Sequence, residues 1–194
     1  AALGFWGWPA PPVDGPVPAC QAALAIQREF LEASQNPNHL LKDFVVGIGI
    51  AHGRAIAGRI GSDEQAKIGV FGPPVNLGSR LEGLTKQLRV KILIDEPTAE
   101  AVRATLSPEE GLVRRIGKLR PKGLETPLQV SELLPGNDAG QTLSLQQIQV
   151  FEAAADLVAS GDWPGAAELL RQIPETDGPR QFLRQFMAQH DFQA

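Results

Sequence analysis

The chain has 194 residues, enough for one ordinary domain with an appendage, and its 43% hydrophobic and 21% charged content excludes wholesale disorder. Eighteen Lys and Arg against 22 Asp and Glu (net charge −4) exclude a general nucleic-acid-coating surface. One cysteine, Cys20, excludes an internal disulfide and a multi-cysteine zinc site. No apolar run approaches the ~20 residues of a membrane span, so no membrane segment is expected, and the single cysteine suits a reducing, cytoplasmic compartment. The first residue is Ala and the sole methionine is Met187, so the sequence is expected to be a fragment of a longer reading frame. Charge is uneven. Residues 40–135 carry 14 basic and 11 acidic side chains and residues 136–194 carry 3 and 8, which points to two units with any anionic ligand on the first.

In chain order, Ala2 to Trp8 is short, apolar and aromatic, and predicts a strand end running into a proline-rich loop. Cys20, Ala23, Leu24, Ile26, Phe30 and Leu31 recur at three- and four-residue steps and predict a helix over 19–33. Phe44 to Ile50 predicts a buried strand with Gly47 and Gly49 on one face, bare enough for a helix or ligand to approach. Extended chain follows at 54–60 and a strand at 67–71. Gly72-Pro73-Pro74 then opens a helix over 75–86, because proline is tolerated in a first helical turn. Leu77, Leu81 and Leu84 form its buried stripe. A strand is predicted at 89–94, and then a helix to Leu106 capped by Asp95 or Glu96. A hairpin spans 112–134, turned at Pro121-Lys122-Gly123. Residues 136–140 have linker composition. Beyond them Ser144 and Gln147 form a capping box, and three helical runs follow, with a corner at Gly161-Asp162-Trp163.

Asn76 and Arg80 stand at i and i+4 and project from one helix face, away from the leucine stripe. A carboxamide one turn from a guanidinium suits a ribose-and-phosphate ligand. Taken alone, the same spacing also fits a capping asparagine followed by a solvated arginine. His52 is expected to be a hydrogen-bonded strand-end residue, the Trp6 and Trp8 cluster to be core, and Cys20 to be a small hydrophobe.

Four separated pieces resemble the catalytic domain of class III nucleotidyl cyclases, the adenylate and guanylate cyclases, over Phe5 to Leu134. They are Gly47-Ile48-Gly49-Ile50 with His52-Gly53, the Val75 to Thr85 helix, Ile92 to Asp95, and Pro121-Lys122-Gly123. The resemblance implies that Asn76 orients the ribose, Arg80 stabilises charge on the α-phosphate during attack, and Lys122 neutralises the triphosphate. Gly69 aligns with a base-reading position and has no side chain there. The resemblance also implies Mg2+ (or Mn2+) held by two aspartates that are absent from this chain. Asp43, Asp63 and Asp95 are expected in solvated or capping roles instead. Pro73-Pro74 stands where the family carries Asp-Thr.

The implied fold is α+β: a partial ferredoxin-like antiparallel sheet with helices on one face over residues 1–135; after a linker at 136–140, the small all-α tail over 141–194 separately resembles a tetratricopeptide hairpin in its Ala155, Val158, Gly161-Asp162-Trp163 and Ala166 spacing. The implied function is the C-terminal part of an adenylate cyclase that converts ATP to cyclic AMP and pyrophosphate in signal transduction. It would work as a homodimer through the cyclase domain and be inactive as this fragment alone. The alternative is a degenerate, non-catalytic module for dimerisation and protein interaction.

Overall fold

A computed structural model describes residues 2–10, 15–61, 67–121, 125–136 and 143–190. The order is α1 (Val17–Gln35), β1 (Ile48–Ile50), β2 (Ile56–Ile60), β3 (Lys67–Phe71), α2 (Pro73–Leu88), β4 (Ile92–Asp95), α3 (Glu96–Thr105), β5 (Gly111–Leu119), β6 (Leu128–Pro135), α4 (Leu145–Ser160), α5 (Trp163–Leu170) and α6 (Gly178–Ala188). Four strands form a sheet in the order β1-β4-β6-β5, and β2 and β3 form a separate two-stranded ribbon.

The α+β class expected from sequence is the class observed. Two details of the sheet differ. The β4–β6 and β5–β6 pairs are antiparallel, but β1 and β4 run parallel, with Ile48 opposite Ile92 and Ile50 opposite Ile94. The β2–β3 ribbon and α2 supply the crossover that a parallel pair requires. Helices also cover both sheet faces rather than one. Side chains alternate along a strand, so Ile92 and Ile94 pack with Cys20 and Ala23 of α1 and Ala99 and Val102 of α3. Leu93, on the opposite face, packs in a core shared with Leu81 and Leu88 of α2, Phe151 of α4, Leu170 of α5 and Met187 of α6. All four residues of β4 are buried, as a strand covered on both faces requires.

Strand boundaries moved where burial was lacking. The predicted strand over 44–50 shrinks to three residues, because Phe44 and Val45 project into solvent (60% and 79% exposed) and have no sheet partner. Ala2 to Trp8 forms no strand, and Leu3, Phe5, Trp6 and Trp8 are exposed rather than core. The predicted strand start at Arg89 is instead the end of α2, where Arg89 takes a left-handed conformation (φ 55°) and β4 begins three residues later. Residues 137–140 of the proposed linker lie outside the described residues, and Gly136 is buried at the end of β6.

The helical segment after residue 143 is built on local signals. Ser144 accepts from the Gln147 N–H (3.2 Å) while Gln147 Oε1 accepts from the Ser144 N–H (2.9 Å), closing the capping box. Gly161 (φ 90°) turns α4 toward α5, and the Trp163 indole N–H donates to the Val158 carbonyl at 3.0 Å across that corner. The segment is tied to the sheet by charge as well as by packing. Arg114 of β5, 1% exposed, donates through Nε and Nη2 to Glu132 Oε2 and through Nη1 to Asp177 Oδ2 (2.8 Å). Its guanidinium carbon lies 4.6 Å from the centre of the Phe151 ring. The neighbouring Arg115 holds Asp156 of α4 through two guanidinium nitrogens, at 2.5 and 2.7 Å.

Candidate active site

The site begins with a close approach. Gly47 and Gly49 face α2: a Cβ at Gly47 would overlap the Thr85 side chain, and one at Gly49 would overlap the Gly78 carbonyl and lie 2.9 Å from the Leu81 carbonyl carbon. The bare strand face foreseen from sequence is therefore filled by a helix, and by α2 itself. With Gly78 on the helix side of the same contact (3.4 Å from the Gly49 carbonyl for an added Cβ), backbone meets backbone without intervening side chains.

That contact fixes which way α2 faces. Leu81, Thr85 and Leu88 are buried, and Leu77 and Leu84 pack at the margin of the core. Asn76, exposed, and Arg80, half-buried, stand one turn apart along the flank of this buried stripe. Among the described residues neither side chain has a hydrogen-bond or ion-pair partner, so neither serves as a cap or an internal strut. The helix start is capped by backbone alone: Gly72 (φ 146°) is the N-cap and gives no side-chain hydrogen bond, and Pro73 and Pro74 occupy the first turn.

The loop after β1 is locked beneath this helix. Asp95, 4% exposed, accepts the His52 N–H on Oδ2 at 3.0 Å and the Thr98 N–H on Oδ1 at 3.1 Å. It thus caps α3 and anchors residues 51–53 at once. His52 takes part through its backbone, and its side chain is exposed. Gly69 lies directly opposite Gly58 in the β2–β3 ribbon, and the Ile60 and Phe71 side chains close over the space where its side chain would stand. Lys122 and Asp63 lie outside the described residues.

Among the described residues no group of three or more His, Cys, Asp and Glu side chains converges. Asp43 is exposed, and both oxygens of Asp95 are committed to backbone donors. The described residues do not fit a catalytic divalent-metal centre. Cys20 is buried, and burial together with the nearby Asp95 pushes its thiol up to about 12, which makes it inert at neutral pH.

Shallow cavities lie among the described residues. One, about 300 Å3, lies between α3, β5 and α4, with Arg103, Leu106, Leu145 and Glu152 in its wall. Another, about 250 Å3, lies between Gln87 of α2 and Phe182, Gln185, Phe186 and Gln189 of α6. Neither is lined by Asn76 or Arg80.

A sheet covered on both faces, with a glycine-seated helix carrying a carboxamide and a guanidinium one turn apart, defines an α+β domain. The sequence profile of the adenylate and guanylate cyclase catalytic domain matches residues 17–123, more than half of the chain, and the chain belongs to that family. Adenylate cyclase 1 of Rhizobium meliloti (strain 1021) is 29% identical over 138 residues, covering 69% of this chain and 20% of its own length. The adenylate cyclase of Anabaena cylindrica is 38% identical over 89 residues, covering 45% of this chain and 17% of its own. This chain thus spans a fifth or less of these relatives. A solved bacterial light-regulated adenylyl cyclase shares the fold with a TM-score of 0.50 at 22% identity, over 70% of this chain and 37% of that one. Among the described residues no helix is long and apolar enough to cross a membrane.

Proposed function

We propose that this chain carries one half of a nucleotidyl cyclase site, with ATP as the favoured substrate and cyclic AMP and pyrophosphate as products. Asn76 orients the ribose, Arg80 stabilises charge gathering on the α-phosphate as the 3′-hydroxyl attacks, and Lys122 holds the triphosphate. The 3′-hydroxyl gives its proton to water as its oxygen bonds to the α-phosphorus and the bond to pyrophosphate breaks, so the acceleration comes from positioning and preorganised positive charge. The observation that carries this reading is the pair Asn76 and Arg80, one turn apart on the flank of α2 and without partners among the described residues, on a helix seated by Gly47 and Gly49.

An open pair needs an opposing surface, which a homodimer through the cyclase domain supplies. In this reading the carboxylates for Mg2+ or Mn2+ come from outside the 194 residues, and the chain alone is inactive. The helices after residue 143 act as a tetratricopeptide-like appendage on the cyclase unit. In a longer protein that makes cyclic nucleotide, Arg80→Ala is expected to lower turnover by about 10²–10³, the loss of one preorganised charge-stabilising donor. Unchanged production by that variant, measured as cyclic nucleotide per enzyme, rejects the role.

The second reading is a non-catalytic dimerisation module. It is favoured by the lack of a convergent acidic cluster among the described residues. Nucleotide binding that is indifferent to Arg80→Ala, with the dimer intact, would support it.

A further inference from the structure

The helix bearing Asn76 and Arg80 is held from two sides. One is β1, through the glycine contact. The other is α6, which lies beyond the residues matched to the family. Gly178, the first residue of α6, abuts the last turn of α2: a Cβ there would overlap the Leu88 carbonyl and fall 2.7 Å from Arg89 Cβ. Arg89 is the only non-glycine residue with positive φ among the described residues, and its guanidinium donates to the Gln181 side chain of α6. A left-handed arginine is unfavourable in isolation and persists where its surroundings hold it. The first turn of α6 is itself fixed to the sheet. Asp177 caps it by accepting the Arg180 N–H at 2.8 Å and accepts from the buried Arg114 on its other oxygen.

We infer that α6 is the positioning element of the candidate site: its contact with Leu88 and Arg89 sets where α2 lies along β1, and through the helix sets the place of the Arg80 guanidinium. This rests on the role proposed for Arg80. Arg89 lies nine residues beyond it, ~13 Å along a helix rising 1.5 Å per residue. A helix that short moves as one body, so displacement at its C-terminal end is passed to the site. Gln181 and Gly178 are thus positioning residues. A force or ligand acting on the helical segment would regulate the site through them.

The test uses the full chain with Gln181→Ala, Gly178→Ala, and Gln181→Ala combined with Arg89→Gly. Hydrogen–deuterium exchange is followed at the amides of α2, with α3 as internal reference, and kcat and KM for cyclic nucleotide formation are measured in a longer protein that carries this chain and makes cyclic nucleotide. Gln181→Ala is expected to speed exchange in α2 about fivefold, the worth of one ordinary net hydrogen bond at an exposed site, while α3 is unchanged. The variant's kcat should fall and its KM stay near wild type. Arg89→Gly is expected to restore protection in the Gln181→Ala background, because glycine takes the left-handed conformation without strain. Faster exchange in α6 with unaltered α2, or no rescue by glycine, overturns the inference. Gly178→Ala should exceed Gln181→Ala, and if it does not fold, the Gln181 variants decide. An unchanged kcat for Gln181→Ala in that longer protein overturns the link to the site, while the exchange result by itself judges the coupling between the two helices.

Discussion

Replacing Arg114 with methionine is the sharpest perturbation of this fold. Methionine approximates the length of the arginine stem, so the cavity left behind is small and the change isolates charge. What is lost is specific: three charge-assisted hydrogen bonds, two to Glu132 and one to Asp177, and the contact with the Phe151 ring. What remains is two carboxylates, each about 8% exposed, facing each other without a cation. Breaking a buried pair from one side costs about 3–5 kcal/mol, a large fraction of the ~5–15 kcal/mol that holds an ordinary domain. The sign of the pH dependence follows from Glu132. Burial outweighs the attraction of Arg114 and holds its carboxyl above the usual range. Arg114 stays charged throughout, because Glu132 and Asp177 overcome the effect of its burial and raise it further. In the variant, protonating Glu132 is the cheapest relief. The deficit should therefore be greatest at alkaline pH and shrink as pH falls through the folded pKa of Glu132. Urea unfolding at pH 8 and pH 5.5, followed by circular dichroism, measures both values. A variant within 1 kcal/mol of wild type at pH 8 with an unchanged m-value, taking that as about the worth of an exposed pair, refutes the reasoning. A triple variant with Glu132→Met and Asp177→Asn added should recover most of the loss, since asparagine keeps the cap on α6.

Other expectations follow from single contacts. Gly49→Ala places a methyl group against the α2 backbone and should cost about 3 kcal/mol, the upper end for overpacking, read as a lower urea midpoint. Asp95→Ala leaves the His52 and Thr98 N–H groups without an acceptor and should cost about 2–3 kcal/mol in the same assay. The Cys20 thiol, pushed up to about 12, should resist iodoacetamide at pH 8 until the chain is unfolded in urea, and mass spectrometry of the native protein should show no adduct.

Much of the local structure could be read from residue order, because its causes are local. The capping box at Ser144 and Gln147, the Asp95 cap, the proline entry to α2 and the turn at Gly161 each rest on residues within four positions of one another. The stripe of Leu77, Leu81 and Leu84 was legible for the same reason, and with it the outward direction of Asn76 and Arg80. The bare face of Gly47 and Gly49 announced a close neighbour, but residue order does not say whether helix or ligand fills it.

The rest depended on contacts between distant residues. Phe44, Val45 and the aromatic start of the chain are apolar enough for strand or core, yet no described element covers them. Arg114 looks like any charged residue on an alternating strand, and nothing near it in sequence announces that Glu132 and Asp177 converge on it. Composition, periodicity and capping thus determined the elements and the face that bears the candidate pair. Only the tertiary structure decided that helices cover both sides of the sheet and that the last helices share a core with α2, because burial and charge pairing depend on which residues the fold brings together, not on their order.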